Sequence, residues 1–202
     1  MSTAETDRPV SRFGVVEPGD LPDDLRQRIE AIAEKSGFVP NVFLALARRP
    51  AELRAFLDYH DALMVPAEDG APGSTLSAAE RELIVVATSG ANHCTYCVVA
   101  HGAILRVRSK DPELADQVAA NPYGVALDPR RRAIVDLALL LATDSASLRD
   151  EDIDTARDAG LTDEEIWDVG AITALFAMSN RLAHLTALRP NPEFFLMGRL
   201  PR

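Results

Sequence analysis

The stretch ANHCTYCVVAHGAIL, residues 91–105, holds both cysteines of a 202-residue chain, three positions apart, with a histidine four residues after the second. It follows the apolar run LIVVA, residues 83–87, and a glycine at 90. Strand-length alternation of apolar and polar residues is hard to find here or elsewhere. Spacings of three and four recur instead from Leu25 to Leu188, so the chain reads as all-α. Asn92 is a good helix N-cap type, and the cysteine segment is expected to open a helix. On that helix Cys94, Cys97 and His101 occupy i, i+3 and i+7 and fall in one stripe. The two sulfurs then lie within disulfide reach, and His101 lies within reach of Cys97.

Working outward, Ser77 and Glu80 have capping-box spacing before the apolar run, and Gly90 is expected to stop that helix. Leu25, Ile29, Ile32 and Ala33 form a stripe after Pro22 that Gly37 ends, and residues 41–47 and 51–64 read as two more helices. Residues 65–74, VPAEDGAPGS, gather two prolines and two glycines and read as a connection. Further helix starts fall at Asp111-Pro112, at Asp128-Pro129 and at Thr162 with Glu165, the last leading an apolar segment to about Leu188. The expected organisation is an arm (1–20), an N-terminal helical section (21–64), a connecting loop (65–75), a core domain (76–188) and a tail (189–202). Phe194, Phe195, Leu196 and Met197 would expose apolar surface, so the tail is expected to dock on its own chain or a neighbouring subunit. A faint echo links LSAAERELIVVA from Leu76 with LTDEEIWDVGAI from Leu161, and VVAH ending at His101 with RLAH ending at His184.

The composition, 47% hydrophobic and 26% charged, is that of a packed domain. A net charge of −10 disfavours nucleic acid and anionic membrane as partners. Arg130-Arg131-Arg132, spread around a helix start, reads as solvated surface. Residues 1–10 show no apolar leader core and no stretch of about 18 apolar residues occurs, so a cytoplasmic location is expected. In a reducing compartment a Cys pair is more often redox-active or metal-binding than a permanent staple.

The thiolate is the reactive form of cysteine, and a helix N-terminus or an adjacent imidazole lowers a thiol pKa from about 8.5 toward roughly 3.5–7.5. Both devices are available here. Glu82, beside the apolar positions Ala79, Leu83 and Val86, is a carboxylate expected to resist ionisation and to exchange protons near neutral pH. The plain alternative is a rim glutamate paired with Arg81 or solvent. Zinc is the main rival for the pair, since His93, Cys94, Cys97 and His101 include suitable donors, but no second Cys/His pair stands out for a closed site. Covalent haem attachment would need His directly after Cys97, where Val98 stands. Two buried structural thiols are the remaining reading.

Glu82, eleven intervening residues, then Cys94-x-x-Cys97-x-x-x-His101 resembles the alkylhydroperoxidase D (AhpD)-like group of the carboxymuconolactone decarboxylase superfamily. GFVPNVFLALARRP from Gly37, AGLTDEEIWDV from Ala159, SNRLAH from Ser179 and RPNPEF from Arg189 resemble its peroxidase-related branch, so the likeness spans roughly residues 20–200. The resemblance implies an all-helical fold, an obligate homo-oligomer, commonly a trimer or hexamer, and thiol-dependent reduction of hydroperoxides without haem, flavin or metal. Carried over, Cys97 attacks the peroxide oxygen, Cys94 resolves the sulfenic acid as a disulfide, and His101 with Glu82 forms the proton relay. A dithiol donor, lipoyl-bearing or thioredoxin-like, would restore the thiols. Helix electrostatics taken alone favour Cys94 as the more acidic thiol.

This chain departs from the best-studied members in having Tyr96 where they carry a histidine before the second Cys. His93 can partly substitute, or it is an exposed residue of the helix's first turn. His60, His184, Tyr59 and Trp167 read as core or interface packing, and Asn180 with Arg181 as ties between helices. Two rival functions stay open: acid-base chemistry on a small organic acid, as in the lactone decarboxylases, which lack the Cys pair, and a redox-switched oligomer without turnover.

Overall fold

The computed structural model describes residues 8–65 and 75–199. Apart from its two ends, the expected 65–75 connection lies outside the described residues, as do residues 1–7 and 200–202. The described elements are helices α1 (Asp23–Ser36), α2 (Asn41–Leu46), α3 (Pro50–Met64), α4 (Ala78–Ala91), α5 (Thr95–Ser109), α6 (Leu114–Ala120), α7 (Pro129–Asp144), α8 (Asp150–Asp158), α9 (Asp163–Thr186) and α10 (Glu193–Leu196), joined by turns and short 3-10 segments, with no strand among the described residues.

Helix α4 is the axis of the fold. Every residue from Glu80 to Ser89 is buried, because α5, α6, α7 and α9 pack around it. The stretch 83–87 is apolar on all sides and must be enclosed, and enclosure overrides the weak helix propensity of Ile84, Val85 and Val86. Two cores meet on it. Ile84 and Val85 join Ile134, Val169, Ile172 and Phe176 on one side, whereas Leu83, Val86 and Ala87 join Leu105, Val118 and Val135 on the other. At Gly90 the backbone of α6 comes so near that a Cβ would lie 2.9 Å from Ala119 O, so glycine is required there for contact.

Capping chemistry sets the helix starts. Ser77 with Glu80 and Thr162 with Glu165 both form full capping boxes, and the Asp128 side chain accepts from Arg131 N. Arg130 joins the two boxes: its guanidinium reaches Glu80 Oε1 at 2.9 Å and Glu165 Oε1 at 2.6 Å. The solvated reading of residues 130–132 is therefore corrected. Arg130 neutralises a glutamate side chain that is only 2% exposed, and Arg132 donates to Pro122 O and Val125 O. Helix α8 turns Ile153 and Ala156 to the main core and is otherwise polar, and two apolar residues are too few to announce a helix in the sequence.

Helices α1 to α3 close around Leu25, Ile29, Leu53 and Leu57, while Leu63 and Met64 of α3 belong to the main core. In the tail, Phe194 is buried edge-on against Phe38, with ring centroids 4.8 Å apart, and Arg106 donates to Phe194 O and Met197 O. Phe195 and Leu196 remain exposed. Residues 10–12 run beside the end of α9 through Arg12 N to Thr186 O and Arg189 N to Val10 O. Trp167 is not core: it is 74% exposed, because it sits two residues from both Glu165 and Val169 on the opposite face of α9. Tyr59 is likewise exposed.

Candidate active site

The turn between α4 and α5 places the cysteines. Cys94 N donates to Ser89 O and His93 N to Gly90 O, both at 2.9 Å, with His93 at φ 54°. This is the paired 6→1 and 5→2 bonding of a Schellman end, with His93 in the left-handed position usually given to glycine. Asn92 is consequently the C-cap of α4, not the N-cap of the next helix as expected from its residue type. The residue that ends this motif, Cys94, is itself the N-cap of α5, and Cys97 lies in the first turn. His93 is exposed in the turn ahead of the helix.

Both thiols are free and buried, each side by side with the other. Their acidities are pushed apart. The Cys97 thiol, as hydrogen-bond donor, lowers the Cys94 pKa from 9.0 to about 6 against the opposing effect of burial. The Cys97 N–H, the nearby His184 and Asn180 add to that lowering, although the sulfur makes no formal capping hydrogen bond. Cys97 is raised well above its ordinary range by giving its proton to that bond, by burial and by the neighbouring charge. Its sulfur lies 3.9 Å from Ser179 Oγ.

Glu82 and His101 come together as the spacing implies: Glu82 Oε2 lies 2.8 Å from His101 Nδ1, with both side chains nearly buried. Phe176 stands edge-on to the imidazole at 4.6 Å. Carboxylate and imidazole are side-chain types commonly used for general acid–base work. His101 follows Cys97 by one helical turn, with no direct hydrogen bond between them. Arg81, the alternative partner of Glu82, turns instead to Leu76 O and Asp168. Tyr96 does not stand in for a relay histidine, since its hydroxyl accepts from Val42 N and burial pushes its pKa up.

His184, read as packing, is exposed instead and lines the site. Its Nε2 lies 3.1 Å from Asn92 O, so that nitrogen carries the hydrogen. Asn180 accepts from Asn92 Nδ2 and donates to Ser89 Oγ, tying α9 to the end of α4 as expected, and it also favours the anionic form of both sulfurs. Sequence reasoning missed this second function. The only pointer was the echo of VVAH in RLAH. A cavity of about 270 Å³ opens beside Cys94, walled by Tyr96, Ala183, His184, Leu188 and others. No group of three or more His, Cys, Asp or Glu among the described residues has the arrangement of a metal site.

The helical bundle thus holds a buried CxxC pair with a hydrogen-bonded Glu–His couple one turn away. The chain belongs to the AhpD-like carboxymuconolactone decarboxylase superfamily. The Carboxymuconolactone decarboxylase family model matches residues 50–121. An alkylhydroperoxidase AhpD core structure, an uncharacterized peroxidase-related protein from Ralstonia eutropha JMP134, is 53% identical with a TM-score of 0.91, covering 96% of this chain and 100% of that one. An uncharacterized peroxidase-related protein from Silicibacter sp. TM1040 is 36% identical with a TM-score of 0.86, covering 95% and 97%. The debrominase Bmp8, solved with 2,3,4-tribromopyrrole, shares the fold at 18% identity and a TM-score of 0.73, covering 93% and 94%. No functionally curated protein shows significant similarity.

Proposed function

We propose that this protein is a thiol-dependent peroxidase that reduces organic hydroperoxides or hydrogen peroxide through Cys94 and Cys97. The observation that carries this reading is the unequal buried thiol pair, with the acidic member Cys94 facing a cavity. The thiolate attacks one peroxide oxygen, the S–O bond forms as the O–O bond breaks, and the leaving alkoxide takes up a proton. The sulfenic acid is then attacked by the second thiol, giving a disulfide and water. An external dithiol, lipoyl-bearing or thioredoxin-like, supplies the two electrons that restore the pair.

The charge distribution supports Cys94 as attacking thiolate and Cys97 as resolving thiol, the reverse of the order that the family resemblance implies. Cys97 in that role must lose a tightly held proton, and the Glu82–His101 couple one turn away is suited to accept it. No described helix is long and apolar enough to cross a membrane; a dithiol-recycled pair of this kind suits the reducing cytoplasm. Exposed Trp167, Met178 and Leu185 along one face of α9 support assembly into a homo-oligomer, trimeric or hexameric.

The test is steady-state peroxide consumption with a dithiol donor, together with sulfenic-acid trapping. Wild type should turn over, and a Cys97→Ser variant should be trapped on Cys94 after one oxidation. Persistent consumption in a Cys94→Ser/Cys97→Ser double variant would refute the proposal. Stoichiometric oxidation without turnover would favour a redox switch.

A further inference from the structure

The cavity beside Cys94 is basic in a chain whose net charge is −10. Arg8, His184 and Arg189 line it, and no carboxylate among the described residues does. The two arginines are brought together by the pairing of the N-terminal arm with the segment after α9: Arg189 N donates to Val10 O at 2.9 Å, and Arg189 Nη1 to Arg8 O at 3.0 Å. Most other arginines here are paired with an Asp or Glu, but among the described residues neither Arg8 nor Arg189 is in an ion pair. The fifteen-residue helix α5 also begins at this cavity, directing its N-terminal end toward it. Leu188, Ala183, Ala187 and Pro190 supply apolar wall.

Size narrows the ligand. A water needs only roughly 10–15 Å³ of such space, so a cavity of about 270 Å³ is far larger than hydrogen peroxide requires. It is at the small end for an organic ligand. Neither guanidinium is in an ion pair among the described residues, and each carries the planar donor fork that suits a carboxylate, Arg189 keeping its remaining N–H groups beside the one given to Arg8 O.

We propose that this cavity selects a small organic hydroperoxide bearing a carboxylate, which Arg8 and Arg189 hold while its peroxide group meets Cys94. The inference rests on the peroxidase reading for its reaction and on the cavity alone for its anion preference. The chemistry is unchanged: sulfur gains an oxygen as the O–O bond breaks, and the product is the corresponding hydroxy acid after proton uptake.

Two measurements separate the inference from the reading beneath it. In the first, reduced protein is oxidised by para-carboxy cumene hydroperoxide and by its neutral methyl ester. The acid should react on the order of tenfold faster, the scale of a charge-assisted hydrogen bond. Arg8→Ala and Arg189→Ala should each erode that advantage, Arg189→Lys should keep only part of it because an ammonium lacks the planar fork, and Arg49→Ala, which removes the same charge at a residue outside the cavity lining, should leave it intact. Equal rates for acid and ester would overturn the inference while leaving peroxidase activity standing. The second uses no peroxide: Cys94 in a Cys97→Ser variant is alkylated by iodoacetate and by iodoacetamide. The ratio of the two rates should exceed that of 2-mercaptoethanol and fall to it in an Arg8→Ala/Arg189→Ala background. A raised ratio with no hydroperoxide reaction would sustain the anion site and remove the peroxidase reading; a ratio equal to that of the free thiol would remove the anion site.

Discussion

Replacing Cys97 by alanine removes the donor that most lowers the Cys94 pKa. In the wild type that value is about 6, against 9.0 for an unperturbed thiol. At pH 7 the thiolate fraction is then roughly 90% rather than roughly 1%. Part of this gain is returned, because a less basic thiolate is a weaker nucleophile: with a Brønsted coefficient of about 0.4–0.5, three units cost roughly 15–30-fold. The net advantage over an ordinary thiol is roughly fourfold at pH 7 and about 25-fold at pH 6, so the pH profile is more telling than any single rate. A hydrogen bond to a charged group is worth about 1.5–3 kcal/mol, or about one to two pKa units. Iodoacetamide alkylation, followed by peptide mapping from pH 4 upward, should inflect near 6 at Cys94 in wild type, and about one to two units higher in Cys97→Ala. An inflection near 9 in wild type, or first labelling on Cys97, would refute the assignment of charge within the pair.

Glu82→Gln keeps the shape of the relay but removes its ability to take a proton, so disulfide formation after oxidation should slow by about 10²-fold or more with little change in the first oxidation, as stopped-flow fluorescence or quenched labelling would register. Arg130→Ala strands Glu165, and because Arg130 keeps 30% of its side chain exposed the loss should be about 2–3 kcal/mol in urea unfolding, below that of a fully buried pair. Glu165 would be raised by burial but is held at about 2 because Arg130, Thr75 and the Thr162 N–H outweigh it. A depressed carboxyl stabilises the fold above its unfolded value of 4.5 and loses that contribution as pH falls toward 2, an effect of about 3 kcal/mol. The wild type should therefore lose stability steeply across that window, and Arg130→Ala should lose less; parallel acid profiles would refute the role of the bridge.

The parts of the site that could be read in advance are local. Ser77 with Glu80 and Thr162 with Glu165 announce their helices because a capping box is complete within four residues. Glu82, Cys94, Cys97 and His101 are legible because helical spacing and one interhelical turn bring them together. Asn92 misled because its type suits either end of a helix, and only the bonds from His93 and Cys94 back to α4 decide which. Of the two readings of Trp167, core or interface, only the fold removes the first, because a large apolar residue says nothing of which face of α9 is covered.

By itself, then, the order of residues determined an all-helical chain and the members of its candidate site, since periodicity, caps and a CxxC spacing act over a few residues. Which sulfur holds the charge was left to the folded chain. His184 and Asn180 lie about ninety positions from the turn they touch, Arg130 lies 50 and 35 from the glutamates it joins, and Arg8 meets Arg189 across 181. Electrostatics falls off with distance in space and ignores distance along the chain, so these pairings exist only once α4 is enclosed and the arm is laid beside the end of α9.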